Sequence, residues 1–234
     1  MIKKIAAKRM GKSDLGWLKS HFHFSFAEYY NPRNMNFGVL RVLNDDLILP
    51  QNGFDMHPHR DMEIISYVVD GRLTHKDNMG NESHLYRGEV QYMSAGTGVV
   101  HSEHNLGHEL ARLLQIWILP DAKNHVPNYG EYKFEWEARK NRWLHIVSSH
   151  KGIAPIKIHQ DVNIYAIELQ EGCIHSFNVL KGRQAYVVQI QGESRMNSER
   201  LETRDALEVS EELLAIEALS MSHILLIEMV KDDE

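Results

Sequence analysis

Gly53-Phe54-Asp55-Met56-His57-Pro58-His59 places two histidines two residues apart. Alternate side chains of a β-strand share one face, so both imidazoles can reach one point. Pro58 biases His57 towards extended backbone. It has no N–H to donate, so the stretch belongs at a strand start, an edge or a bulge. The fold turns on this reading, because a strand with two metal-capable side chains needs a second strand to complete a site. The pair alone does not establish one. With 15 His among 234 residues, chance supplies roughly one His-x-His. A second pair does occur, at His21-Phe22-His23, and its alternation with Phe24 and Phe26 reads as a strand with one buried aromatic face.

The second element lies downstream. Ala95-Gly96-Thr97-Gly98 is turn chemistry, and it leads into Val99-Val100-His101-Ser102-Glu103. His101 and Glu103 again share a face. Two strands that each offer two ligands make a four-ligand site of three imidazoles and one carboxylate. That donor set suits Fe, Ni, Co, Cu, Mn or Zn rather than Ca or Mg. Four protein ligands leave positions open on a five- or six-coordinate ion, which marks a catalytic centre. Glu63, four beyond His59, competes with Glu103 for the fourth place. Its other reading is an acceptor that orients a ligand histidine through the second ring nitrogen.

Around these strands the chain reads as all-β. Short apolar clusters such as 38–43, 64–69, 113–119, 156–158, 164–167 and 185–190 are separated by turns such as Asp70-Gly71. Glu211 to Leu219 is the one stretch that reads as a helical turn or two. The polar segment from Pro120 to Gly130 reads as a linker or crossover. Tyr67-Val68-Val69 and Tyr186-Val187-Val188 are each followed by a Gly turn, and each follows a Gly-led segment (Gly53 and Gly172). This hints at a duplicated β domain in which only the first copy kept its histidine cluster.

Composition narrows the function. Hydrophobic residues form 43% and charged residues 25%, an ordinary globular balance. The formal charge of −6 and the lack of a basic stripe argue against a nucleic-acid surface. No 18-residue apolar run occurs, and the basic start lacks the apolar core of a signal peptide, so the expected location is cytoplasmic. The lone Cys173 fits a reducing compartment and reads as an inert thiol. His159, His175 and His223 show no paired ligand pattern, so the second half is expected to be metal-free.

Gly53-x3-His57-x-His59-x3-Glu63-x7-Gly71 resembles the first cupin motif, and Gly88-x7-Gly96-x4-His101-x3-Asn105 resembles the second. Ser94 stands where many cupins have Pro. The strings 54–63 and 93–105, with 23–30 and 40–46, resemble the pirin branch of the cupins over roughly the first 120 residues. The resemblance implies a bicupin of two face-to-face β-barrel (jelly-roll) domains, residues 1–135 with the metal and residues 136–234 without ligands. It implies His57, His59, His101 and Glu103 as the ligands, which selects Glu103 over Glu63. It further implies iron as the foremost ion, Fe(II), with Ni, Co, Cu, Mn or Zn compatible. The implied activity is a quercetin 2,3-dioxygenase type, in which a flavonol such as quercetin is opened with O2 and CO is released. Glu103 is then a candidate base for the flavonol hydroxyl, and Phe37, Phe54 and Met56 are candidate pocket residues. The rival reading is a metal-containing regulator or redox sensor that works through protein partners.

Overall fold

The computed structural model describes residues 1–232, and the all-β expectation holds. In chain order the first strands are β1 (Ile2–Ile5), β2 (Gly11–Asp14), β3 (Leu18–Phe22), β4 (Leu40–Ile48), β5 (Asn52–His59), β6 (Glu63–Asp70), β7 (Arg72–Asp77), β8 (Glu82–Tyr86), β9 (Val90–Ser94), β10 (Val99–Asn105), β11 (Ala111–Ile118) and β12 (Asn128–Tyr132). They are followed by β13 (Leu144–Ser149), β14 (Ile156–Ile158), β15 (Val162–Leu169), β16 (Ile174–Asn178), β17 (Arg183–Gln191), β18 (Ser194–Met196), β19 (Glu199–Leu201), β20 (Ala206–Ser210), β21 (Leu213–Ala218) and β22 (Ser222–Val230).

Two compact units result. The first comprises Gly11–Phe134 with Ile158–Gln160. Its large sheet runs β12-β9-β6-β11-β4-β3-β2 and its small sheet runs β5-β10-β7-β8. Ile48, Val68 and Leu113 of the large sheet pack on Leu73 and Leu85 of the small one, and all five are buried. The alternation that buries these residues also directs every second side chain of β5 and β10 inwards.

The second unit comprises Met1–Met10, Glu135–Lys157 and the described residues from Asp161 onward. Its sheets run β1-β20-β17-β22-β15-β13-β14 and β16-β21-β18-β19. The two units therefore share one plan. β6 and β17, which carry the two Tyr-Val-Val strings, are both third in their large sheets. β5 and β10 correspond to β16 and β21, and the register carries over: His57 faces His101, as His175 faces Ile216.

Three expectations need correction. A single cut at residue 135 misplaces the start of the chain, because Ile2–Ile5 pair along β20 from Val209 to Ala206. The stretch expected to be helical is instead β21. Its burial alternates from Leu213 (exposed) through Leu214 (buried) to Ala215 (exposed) and Ile216 (buried). Pairing on both β16 and β18 outweighs the weak helix preference of a Glu- and Ala-containing stretch. The linker segment ends in a strand, since Asn128–Tyr132 pair with β9 from Ser94 to Val90.

Gly53 stands near the start of β5, the strand of His57 and His59, for a steric reason. A Cβ there would lie 2.3 Å from the Glu103 carbonyl oxygen and 2.5 Å from the His104 Cα. Both are backbone atoms of the paired strand and cannot turn aside. Gly53→Ala is expected to destabilise the metal-free protein by about 1–3 kcal/mol, read from urea unfolding. It should also weaken metal binding by moving β5 off β10.

Candidate metal centre

β5 is the edge strand of its sheet, which is where Pro58 requires it to be. His57 lies opposite His101 and His59 opposite Val99, with a register shift just beyond, where Glu103 meets Phe54. Gly98 donates to Ala95 at 2.8 Å, closing the turn that feeds β10. The two strands bring three imidazoles together. Ring centroids are 4.8 Å apart for His57–His59, 4.5 Å for His57–His101 and 4.9 Å for His59–His101. One nitrogen from each lies within 4.8 Å of the others.

The donor chemistry fits a divalent ion. His57 Nδ1 is 2.7 Å from the Asp55 carbonyl oxygen, which can only accept, so Nδ1 carries the proton and Nε2 keeps the lone pair. His101 Nε2 is buried and has no hydrogen-bond partner. A ring nitrogen in that state is costly unless a ligand completes it. Burial, then the His101 and His57 rings, lowers His59 to a pKa of about 4. Burial, then His57 and His75, lowers His101 to about 3. Both rings are neutral at pH 7, as ligation requires.

Glu103 lines the same cavity as His57 and His59, but its carboxylate is grouped with His75 and His101 rather than with the His57–His59 pair. Ser66 Oγ donates to its Oε1 at 2.6 Å and Gln115 Nε2 to its Oε2 at 2.6 Å, and Gln91 also donates to Oε1. These donors fix its orientation one strand step from His101. Glu63 is buried, but it does not orient a ligand ring through any of its bonds. It accepts from Ser94 Oγ at 2.7 Å and lies 3.3 Å from His159 Nδ1. His159 is thus part of the first unit, which its sequence context did not reveal.

The cavity holds about 250 Å³. Of the three aromatic or apolar residues expected to line it, Phe54 does so, joined by Phe26 and Trp117. Met56 is 53% exposed, because the alternation that turns His57 inwards turns its neighbour out. Phe37 forms a bridge with Leu40 and is not a lining residue. Asn44, Asp46 and Gln115 supply polar lining; the first two lie in the 40–46 string, but none of the three is among the pocket residues expected from the sequence. The visible signal was the unusual Asn44-Asp45-Asp46 run inside an apolar cluster. Its middle member turns away to a buried pair with Arg112, at 2.6 and 2.8 Å. His23, from the other His-x-His, is buried and held at a pKa of about 3, mainly by burial. It belongs to no metal-capable group among the described residues. Cys173 precedes β16 and packs against the core of the second unit.

Family models match most of the chain. Residues 4–118 match the pirin model, and residues 145–229 match the quercetinase C-terminal cupin domain. The chain is 40% identical to a pirin-like protein of Caulobacter vibrioides, over 97% of this chain and 99% of that protein. It is 38% identical to quercetin 2,3-dioxygenase of Escherichia coli, over 95% of this chain and 96% of that protein. The crystal structure of the bacterial pirin YhhW from Escherichia coli in complex with nickel(II) superposes with a TM-score of 0.93 at 35% identity, covering 99% of this chain and 100% of that one.

The cavity makes a pH-dependent prediction. Burial raises Asp46 to about 7 from 3.8, with Ser20 opposing and Asp45 and Glu103 adding to the rise. Its Oδ1 has no hydrogen-bond partner. A carboxyl raised on folding binds its proton more tightly in the native state, so its stabilising share is complete at low pH and is lost as pH rises through its folded value. In the metal-free protein, Asp46→Asn should gain stability over the parent between about pH 4 and about pH 7, by at most about 1.4 kcal/mol per pH unit, and the gain should level off above that range. Urea unfolding across this range checks it, and a difference that does not vary with pH contradicts it.

Proposed function

The chain belongs to the pirin family of bicupins, and from that premise we propose that it is a metal-dependent ring-cleaving dioxygenase of the quercetin 2,3-dioxygenase type, acting on a flavonol with O2. The observation that carries this reading is the convergence of three imidazoles, one with a buried unpartnered nitrogen, two of which line an aromatic-walled cavity. His57, His59 and His101 hold the ion, and Glu103 is the fourth ligand. Fe(II) is the ion proposed. The same donors accept Ni, Co, Cu, Mn or Zn, and the related bacterial pirin was crystallised with nickel.

A divalent ion bound there supplies Lewis acidity, which makes a substrate hydroxyl a stronger acid. The protein's own groups do the rest. Phe26, Phe54 and Trp117 offer flat apolar surface to an aromatic ring and displace water from beside the histidines. Glu103 accepts the hydroxyl proton, and Ser66 and Gln115 keep its carboxylate aimed into the cavity. Asn44 and Asp46 give the cavity a polar wall for further hydroxyls. Among the described residues no helix is long and apolar enough to cross a membrane.

Iron-loaded protein in air should bleach the yellow flavonol absorbance, and His57→Ala should not. Failure to bleach with any of the six metals overturns the reading. Glu103→Gln should retain part of the metal and lose about 10²-fold or more in turnover, the scale of a lost general base. Full turnover in that variant removes Glu103 from the proton transfer.

A further inference from the structure

β10 is paired on both sides, and its second neighbour is β7. There His101 lies opposite Asp77 and Glu103 opposite His75. His75 and Asp77 are two apart on one strand and share a face, and both side chains are fully buried. Neither stood out in the sequence, because His75 falls in no spaced motif.

The hydrogen bonds around them have a single consistent direction. Asp77 Oδ1 accepts from the backbone N–H groups of Met79 at 2.9 Å and Asn81 at 3.0 Å. Its Oδ2 accepts from Asn81 Nδ2 at 2.8 Å and lies 3.2 Å from His75 Nε2. A carboxylate gathered into N–H donors acts as an acceptor, so His75 Nε2 carries the proton. With a single N–H on the ring, His75 Nδ1 is then a lone pair. The atom beside it is His101 Nδ1, at 3.4 Å, which must supply the proton for that contact. His101 is left with its lone pair on Nε2, the buried nitrogen that has no partner. The His75 ring is held in plane by stacking on Tyr129, 4.3 Å between centroids at 15°.

His75, His101 and Glu103 are themselves close enough to be considered as ligands. His75 is already engaged, however: both its nitrogens have protein partners. The lone pair in want of a ligand is on the other side of His101.

We propose that His75 and Asp77 are positioning residues of the metal centre: the chain Asp77–His75–His101 fixes the proton of His101 on Nδ1 and so presents Nε2 to the ion. This rests on the reading of His57, His59 and His101 as ligands and is independent of which substrate is oxidised. Asp77→Asn is the informative variant. The Met79 and Asn81 backbone donors retain its Oδ1, so the amide NH2 takes the place of Oδ2. It would donate to His75 Nε2, move the His75 proton to Nδ1 and reverse the chain, putting the His101 proton where the ion must bind. The same logic makes a wrong tautomer costly in other histidine sites.

Two measurements on the full-length protein test it. Nitrogen-15 NMR of the metal-free parent should show His101 protonated on Nδ1 and His75 on Nε2. In Asp77→Asn both should be reversed. A proton on His101 Nε2 in the parent overturns the proposal even if no variant folds. Nickel(II) affinity, by competition with a chelator, should fall about 10–100-fold in Asp77→Asn and in His75→Phe, the latter keeping the ring that stacks on Tyr129. Unchanged nickel affinity in folded Asp77→Asn also overturns it. Normal nickel binding by the parent without flavonol bleaching would reject the dioxygenase reading and leave this one standing.

Discussion

β10 is hydrogen-bonded to β5 on one side and to β7 on the other, and the site depends on that double pairing. Register against β5 sets His101 opposite His57, and register against β7 sets it opposite Asp77. A slip of one residue on either side would turn His101 and Glu103 to the opposite face. The sterics of Gly53 and the turn at Ala95–Gly98 hold the register from the two ends of the β5–β10 pair. The candidate metal centre is therefore a property of a ladder, and its precision comes from backbone hydrogen bonds rather than from flexible side chains.

The electrostatics follow from where the ladder lies. The inner face of the small sheet is turned towards an apolar core, so the imidazoles of His59 and His101 are held neutral by burial. Burial also raises the Asp46 carboxyl in the same cavity. The polar groups that cannot be solvated are answered in pairs: Asp45 by Arg112, Glu103 by Ser66 and Gln115, His75 by Asp77. His101 Nε2, Asp46 Oδ1 and Asn44 Oδ1 are among the buried atoms left without an answer. Asn44 and Asp46 line one cavity with His57 and His59, the rings grouped with His101, and buried polar atoms without partners are expected where a protein meets something other than itself.

The second unit shows the same scaffold put to another use. Its β21 corresponds to β10, and it turns Leu214 and Ile216 inwards, both fully buried. His175 has the register of His57 but meets Ile216 across the ladder. The inward positions that carry the candidate ligands in one unit carry core in the other. Backbone pairing is indifferent to this exchange, because strand hydrogen bonds do not involve the side chains.

The sequence by itself determined the β class, several strand positions and the pairing of three histidines as candidate ligands. These are local properties: period-two patterning, turn residues and side chains two apart on one strand can be read without knowing the partner strand. The pirin-like strings added the choice of Glu103, which spacing alone left open against Glu63. The tertiary structure decided what depends on residues distant in the chain. It brought Ile2–Ile5 to the second unit and made β21 a strand. It took Glu63 to Ser94 and His159, and it exposed Met56. It also assembled Asn44, Asp46, Gln115 and Trp117 into one cavity and set His75 and Asp77 behind His101. None of these has a signature in spacing, because each is fixed by which strand lies alongside, and the pairing of β10 between β5 and β7 is a non-local choice made by the packed sheets.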